Sequence, residues 1–205
     1  PYGAERTFCF LQIRPIVEQQ DARSLDWDSV GTSDALIYAE SALGLGAIEG
    51  VTDVVYVRSG TFDTSRTQRI ASEIGEQNNR LRSEKRPYVL VGPGRWGSSD
   101  PWLGIPVKWP SISEAKVIVE CGLDNFRVEP SQGTHFFQNL TSFGVGYLTI
   151  NPFQGDGRFD IAQLDTQPAL YESAYVRHVR FPEPLYIFVD GRKNRAIIRA
   201  EKSGA

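Results

Sequence analysis

The chain has 205 residues, 40% of them hydrophobic and 23% charged, with a formal net charge of −3. That is enough for one large domain or two small ones with a real core, and 19 Gly with 12 Pro fits neither a collagen-like nor a disordered composition. The weak negative charge lacks the bulk footprint of a nucleic-acid binder, and no apolar run approaches the roughly 20 residues that span a bilayer, so neither partner is expected.

In chain order, residues 7–15 (TFCFLQIRP) alternate polar and apolar side chains and stop at a proline, which predicts a strand. Residues 18–33 are polar and read as a linker. Residues 34–50 are small and glycine-punctuated, and a strong β run, residues 53–58 (DVVYVR), follows. Residues 63–85 hold no proline and place Ile70, Ile74 and Leu81 on one face at 3.6-residue spacing, so an amphipathic helix is expected. Asp63 or Ser65 can cap it, Ser65 and Gln68 standing at capping-box spacing. Pro87 stops the helix, and residues 88–91 (YVLV) form a buried strand entering the loop GPGRWGSSDPW. Residues 116–121 are a further strand. Residues 131–144 (SQGTHFFQNLTSFG) read as a loop feeding a helix from about Thr134, before a strand at 147–150. Residues 175–181, 185–189 and 196–200 are strand-like, the last two flanking the hairpin sequence Asp190-Gly191-Arg192-Lys193-Asn194. The expected class is mixed α/β (α+β), without internal repeats.

Cys9 and Cys121 lie far apart in apolar stretches and read as reduced core residues of a cytoplasmic protein, a disulfide being the alternative. With His135 and His178 they form no metal-ligand spacing. The chain contains no methionine, so it is expected to be a piece of something longer. No signal-peptide pattern opens it.

Phe10-Leu11-Gln12-Ile13-Arg14-Pro15 resembles the closing strand of the ATP-grasp domain in the phosphoenolpyruvate synthase and pyruvate phosphate dikinase family. Gln12 and Arg14, two residues apart on a strand, point the same way. The resemblance implies that Gln12 helps hold Mg²⁺ and that Arg14 forks onto phosphate oxygens. It also implies ATP and Mg²⁺ as cofactors of the full-length protein only, with most of the nucleotide site upstream. The other reading of these residues is an ordinary edge strand.

A second constellation is Ser131-Gln132-Gly133-Thr134-His135-Phe136-Phe137, closing on Gly144-Val145. A histidine inside a helix N-terminus suits covalent phosphoryl transfer, because backbone N–H groups stabilise the phosphate its imidazole accepts. The stretch resembles the phosphohistidine motif of the swivelling domain in the same family, with Gly144 and Val145 at the matching offsets from His135. Ser99-Asp100-Pro101-Trp102, residues 113–119 and the glycine-rich residues 41–50 resemble other parts of that domain. Thr134 directly precedes His135, however, and Phe136 and Phe137 replace two alanines. His135 is accordingly read as a phosphate carrier, as a residue bonded to its own loop, or as a binder without covalent chemistry.

Gly92-Pro93-Gly94-Arg95-Trp96-Gly97-Ser98-Ser99 is formally GxGxxG after a strand. Pro93 removes a donor, and Pro101 and Pro106 forbid the helix that a dinucleotide loop needs. A loop for phosphate or carboxylate, with Gly92 and Gly94 allowing close approach and Arg95, Ser98 and Ser99 steadying the anion, is the functional expectation. A tight structural turn is the other. Trp96, Trp102, Trp109, Phe136 and Phe137 either line a pocket between the two loops or bury for stability. On residues 175–181, His178 is expected opposite Arg177 and Arg180, on an exposed sheet face.

These readings combine into a C-terminal part of a phosphoenolpyruvate-synthase-like phosphotransferase: a last ATP-grasp strand (1–17), a linker (18–33), a swivelling β/β/α-like domain (34–152) and a β-rich subdomain (153–205). His135 would pass phosphate from ATP to an acceptor such as pyruvate, the ATP-grasp domain of the same chain being its partner. The alternative is a non-catalytic descendant that binds an anion, regulates, or forms a homo-oligomer through the β-rich tail.

Overall fold

The structure is a computed structural model that describes residues 25–27, 30–124, 126–130 and 143–200. Cys9, Gln12, Arg14, Thr134, His135, Phe136 and Phe137 lie outside the described residues, as do the strand expected at 7–15 and the helix expected from Thr134.

A seven-stranded mixed sheet forms the centre. Four strands, β4 (Asp53–Val57), β5 (Tyr88–Pro93), β8 (Ala115–Cys121) and β9 (Gly146–Ile150), run parallel in that order. Antiparallel strands flank them: β12 (Val176–Arg180) beside β4, β11 (Ala169–Glu172) beyond it, and β2 (Ser41–Leu43) beside β9. The near-continuous Val, Leu and Ile of β4, β5, β8 and β9 follow from burial on both faces. One face, carrying Val54, Tyr56, Val91, Val119 and Ile150, packs on a second sheet. That sheet is antiparallel, ordered β10 (Arg158–Phe159), β1 (Ile37–Ala39), β14 (Arg195–Arg199), β13 (Tyr186–Asp190) and β3 (Leu45–Ile48). The other face, carrying Val55, Val57, Leu90 and Ile118, packs on helix α1 (Thr67–Ser83). The result is a mixed α/β molecule in three layers, β/β/α.

Helix α1 follows from its sequence. Ile70, Ile74 and Leu81 are fully buried, as the 3.6 spacing requires, each burial contributing roughly 2 kcal/mol. Asp63 supplies the cap, accepting from Ser65 N at 2.8 Å at the head of a 3₁₀ turn, Thr64–Arg66. Lys85 takes a positive φ of 54°, and Arg86 N returns to Leu81 O at 2.9 Å, before Pro87 ends the segment. Asn78, buried on the same face, accepts from Glu114 N at 3.0 Å and donates to Pro110 O at 3.2 Å, tying α1 to the approach of β8.

Three expectations change. Residues 34–50 hold three short strands, because β1, β2 and β3 find partners that arrive late in the chain: β14, β9 and β13. The β-rich C-terminal third is woven into both sheets rather than set apart: β12 pairs with β4, and the β13–β14 hairpin inserts between β1 and β3. The described part of the 18–33 stretch is anchored as well, since Trp27 is buried against Phe188 and its indole N–H donates to Asp190 Oδ2 at 3.1 Å. Among the described residues no helix is long and apolar enough to cross a membrane.

Candidate functional site

The four parallel strands all finish at one end of the central sheet, at Val57, Pro93, Cys121 and Ile150. Ligand sites of open α/β sheets sit outside such carboxyl ends. A cleft of about 300 Å³ lies there, with Val57, Val91, Gly92, Pro93 and Cys121 as its floor. Gly122, Leu123, Phe159 and Ile161 wall it, and Ser59, Pro152 and Phe153 complete the lining. Two glycines are required by the packing behind it. A Cβ on Gly92 would stand 2.4 Å from Trp96 Cζ2, and one on Gly122 would stand 2.3 Å from Asn151 Oδ1.

The lining is apolar in chemistry as well as shape. Cys121 is a free thiol whose pKa burial pushes up to about 12, so it is present as S–H, a small apolar group. The backbone donors around it already have partners: Gly122 N reaches Ile150 O at 2.8 Å, and Leu123 N reaches Phe126 O at 2.8 Å.

Beside the cleft, the Asn151 side chain behaves as a substitute strand residue. Its Oδ1 accepts from Val128 N at 2.8 Å and its Nδ2 donates to Val128 O at 3.2 Å, capturing both backbone groups of one residue. Arg127 adds bonds to Gln154 and Asp156 at 3.4 Å each. Residues 126–130 are thereby strapped to the turn that follows β9, at the carboxyl end of the sheet. The segment that contains Thr134 and His135 begins just beyond Pro130.

The glycine loop is built differently from an anion cradle. Gly92 and Pro93 belong to β5, and Gly94 and Gly97 turn the chain with φ of 72° and 82°. Every backbone N–H from Gly94 to Gly97 has a protein acceptor: Cys121 O at 3.1 Å, Leu103 O at 2.8 Å, Glu120 Oε1 at 3.0 Å and Ile105 O at 2.8 Å, in order. Glu120, fully buried beneath the loop, spends Oε1 on the Trp96 N–H. Arg95-Trp96 forms strand β6, paired with β7 (Gly104–Ile105), and no α-helix follows before β8, which removes the dinucleotide reading. The side chains remain for an anion: Arg95 is half-buried and Ser99 exposed, whereas Ser98 Oγ donates to Asp100 O at 3.0 Å.

Of the two readings of the aromatic set, the pocket does not assemble from its described members. Trp96 is buried in the helix-side core and donates to Val119 O at 3.0 Å, Trp102 is 73% exposed, and Trp109 stacks on Phe143 at 5.1 Å. None of the three lines the cleft.

At the opposite end of β4 lies the densest ionic cluster. Asp53, fully buried, accepts from His178 Nε2 and Arg180 Nε at 2.8 Å each on one oxygen, and from Thr52 Oγ1 at 2.8 Å and Arg86 Nε at 2.9 Å on the other. Burial pushes its carboxyl up, but the bonds from His178, Arg86, Arg180 and Thr52 outweigh this and hold it well below the usual carboxylate range. Here the face assignment is corrected: His178 and Arg180, two residues apart, share a face and an acceptor, and His178 is fully buried rather than solvated. Arg177 points the other way, to Tyr56 Oη and Asp165 at 3.0 Å.

Sequence reasoning reached Gly92 but not Val57, Ser59, Leu123, Pro152, Phe153, Phe159 or Ile161, which come from separate segments and meet only through the topology. Among the described residues no group of three or more His, Cys, Asp or Glu side chains is arranged to hold a metal ion. No protein-family model matches the chain, and neither a curated protein nor a solved structure matches it.

Proposed function

We propose that the chain is the C-terminal part of a phosphotransfer protein of the phosphoenolpyruvate-synthase-like kind, working at the carboxyl end of its parallel strands. The observation that carries this reading is the strap from Asn151 to Val128, which brings the chain to that end of the sheet seven residues before His135. The β/β/α layering agrees with the swivelling domain that the sequence resembles, an argument from fold analogy. In this reading a ring nitrogen of His135 forms a P–N bond as the bond from that phosphorus to the nucleotide breaks. The phosphoryl group then passes to an acceptor such as pyruvate. Gln12 and Arg14 serve the nucleotide and Mg²⁺ on the ATP-grasp side, and Arg95, Ser98 or Ser99 steady the travelling group.

The test is labelling of the full-length parent protein with ATP labelled in its β- and γ-phosphates, with His135→Ala as the control. Acid-labile, base-stable protein phosphate that disappears in the variant is the expected result. Equal label in both proteins, or none in either, defeats the carrier role.

A second reading, a non-catalytic regulatory or assembly module, is favoured by the occupied donors of Gly94–Gly97, which leave a phosphate no backbone cradle. Unlabelled parent protein with an intact fold is the outcome this reading expects.

A further inference from the structure

We infer that the cleft at the carboxyl end of the parallel strands is a binding site for a compact, uncharged aromatic molecule. The inference stands whether or not His135 carries phosphate. Three observations lead to it. The first is the lining, in which, among the described residues, Ser59 is the lone polar side chain and no charged residue takes part. The backbone N–H groups of Gly94, Gly122 and Leu123 beside it are already bonded, and no cationic side chain lines it among the described residues, so an anion entering would regain little for the hydration it loses.

The second is size. At protein-like packing density, 300 Å³ accepts roughly 10–15 non-hydrogen atoms, the scale of a two-ring molecule. A single phenylalanine side chain from a partner protein would leave about half of that space empty, and unfilled apolar volume weakens association. The third is Phe153. It lines the cleft yet is 61% exposed, on a short 3₁₀ turn, Pro152–Gln154, held by the Asn151 and Arg127 bonds. An aromatic ring carried on a held turn, partly in water beside an apolar cleft, gains burial and ring contact when an aromatic ligand enters. Ser59 Oγ offers one hydrogen bond to orient a hydroxyl or ring N–H.

The experiment titrates the 205-residue chain with 2-naphthol and, separately, with 2-naphthoate, following backbone resonances and thermal unfolding. Expected are saturable shifts at Gly92, Cys121, Gly122 and Phe159 with 2-naphthol, a rise in Tm, and binding of 2-naphthoate at least roughly tenfold weaker. Phe153→Ala, a change at an exposed side chain that leaves the fold intact, should weaken 2-naphthol several-fold. Leu123→Trp, which fills the cleft, should abolish binding. The inference is overturned by shifts that do not saturate, by shifts centred away from these residues, or by equal affinity for the two probes. It is also overturned if Phe153→Ala binds as the parent does, or if a phenylalanine-bearing peptide binds more tightly than 2-naphthol.

Discussion

The two ends of strand β4 present opposite solutions to burial. At its start, Asp53 is a fully buried carboxylate with four donors on its two oxygens. At its finish, roughly 13 Å away by the rise of a strand, Val57 opens onto a cleft lined by apolar groups. A buried charge persists only where its lone pairs are filled, and the partners that fill them lock the elements they come from. The amino end therefore staples β4, β12 and the segment after α1 into one body. The carboxyl end leaves volume empty and costs the molecule the contacts that would have filled it. Rigidity at one end supports an open site at the other.

The largest blow to this contrast is Asp53→Ala, which strands the His178 ring nitrogen and two guanidinium groups. Arg86 and Arg180 keep about a third of their side chains in water and can partly rehydrate. The expected loss is therefore at the lower end of the range for broken buried pairs, about 3 kcal/mol by urea denaturation. Acid sharpens the same point. A depressed carboxyl stabilises the fold above its unfolded pKa of about 4, and that contribution drains away as pH falls toward the folded value. Stability of the parent should decline on acidification below about pH 4, and Asp53→Asn should start lower at neutral pH with a shallower acid slope.

Gly92→Ala should cost about 2 kcal/mol, because its methyl group meets the packed Trp96 ring. A cost near zero would mean that the cleft floor can shift. Tyr56→Phe, removing a hydroxyl that donates to Asp165 at 2.6 Å and accepts from Arg177 at 3.0 Å, should cost about 1 kcal/mol. Burial, and then the bond to Asp165, push the Tyr56 phenol up to about 12. Its contribution is complete below pH about 10 and lost as pH rises through the folded value, so the parent should show an alkaline slope that Tyr56→Phe flattens. Phe153→Ala should be the mildest, within about 0.5 kcal/mol in the absence of ligand; a larger loss would show that the ring supports the fold rather than awaiting a ligand.

Local periodicity carried much of the architecture. The Ile70, Ile74 and Leu81 face, the β runs of β4, β5 and β8, and the Asp190–Asn194 hairpin were legible because each is set by neighbours within a few residues. The strands of residues 37–48 were not, since their partners lie about a hundred or more residues later. The face of His178 was misread by a parity error: Arg177 and Arg180, three apart, cannot share a strand face, whereas His178 and Arg180 must. The glycine loop was legible as a turn, but not the fate of its donors, because the acceptors Glu120 and Cys121 belong to another strand. The cleft was the least legible, since no motif marks side chains gathered from several distant segments.

The position of β14 bears on how the molecule is made. It is the last described strand in the chain, yet it stands at the middle of the five-stranded sheet, between β1 and β13. Emerging from a ribosome, β1 and β3 must wait for nearly 150 further residues before the strands that complete their sheet exist. Until then the apolar face that this sheet covers is exposed on the nascent chain. Folding is thus gated by translation of the β13–β14 hairpin, a late and long-range closure. A ribosome stalled before residue 185 would hold a chain for holdase chaperones rather than a partly working domain.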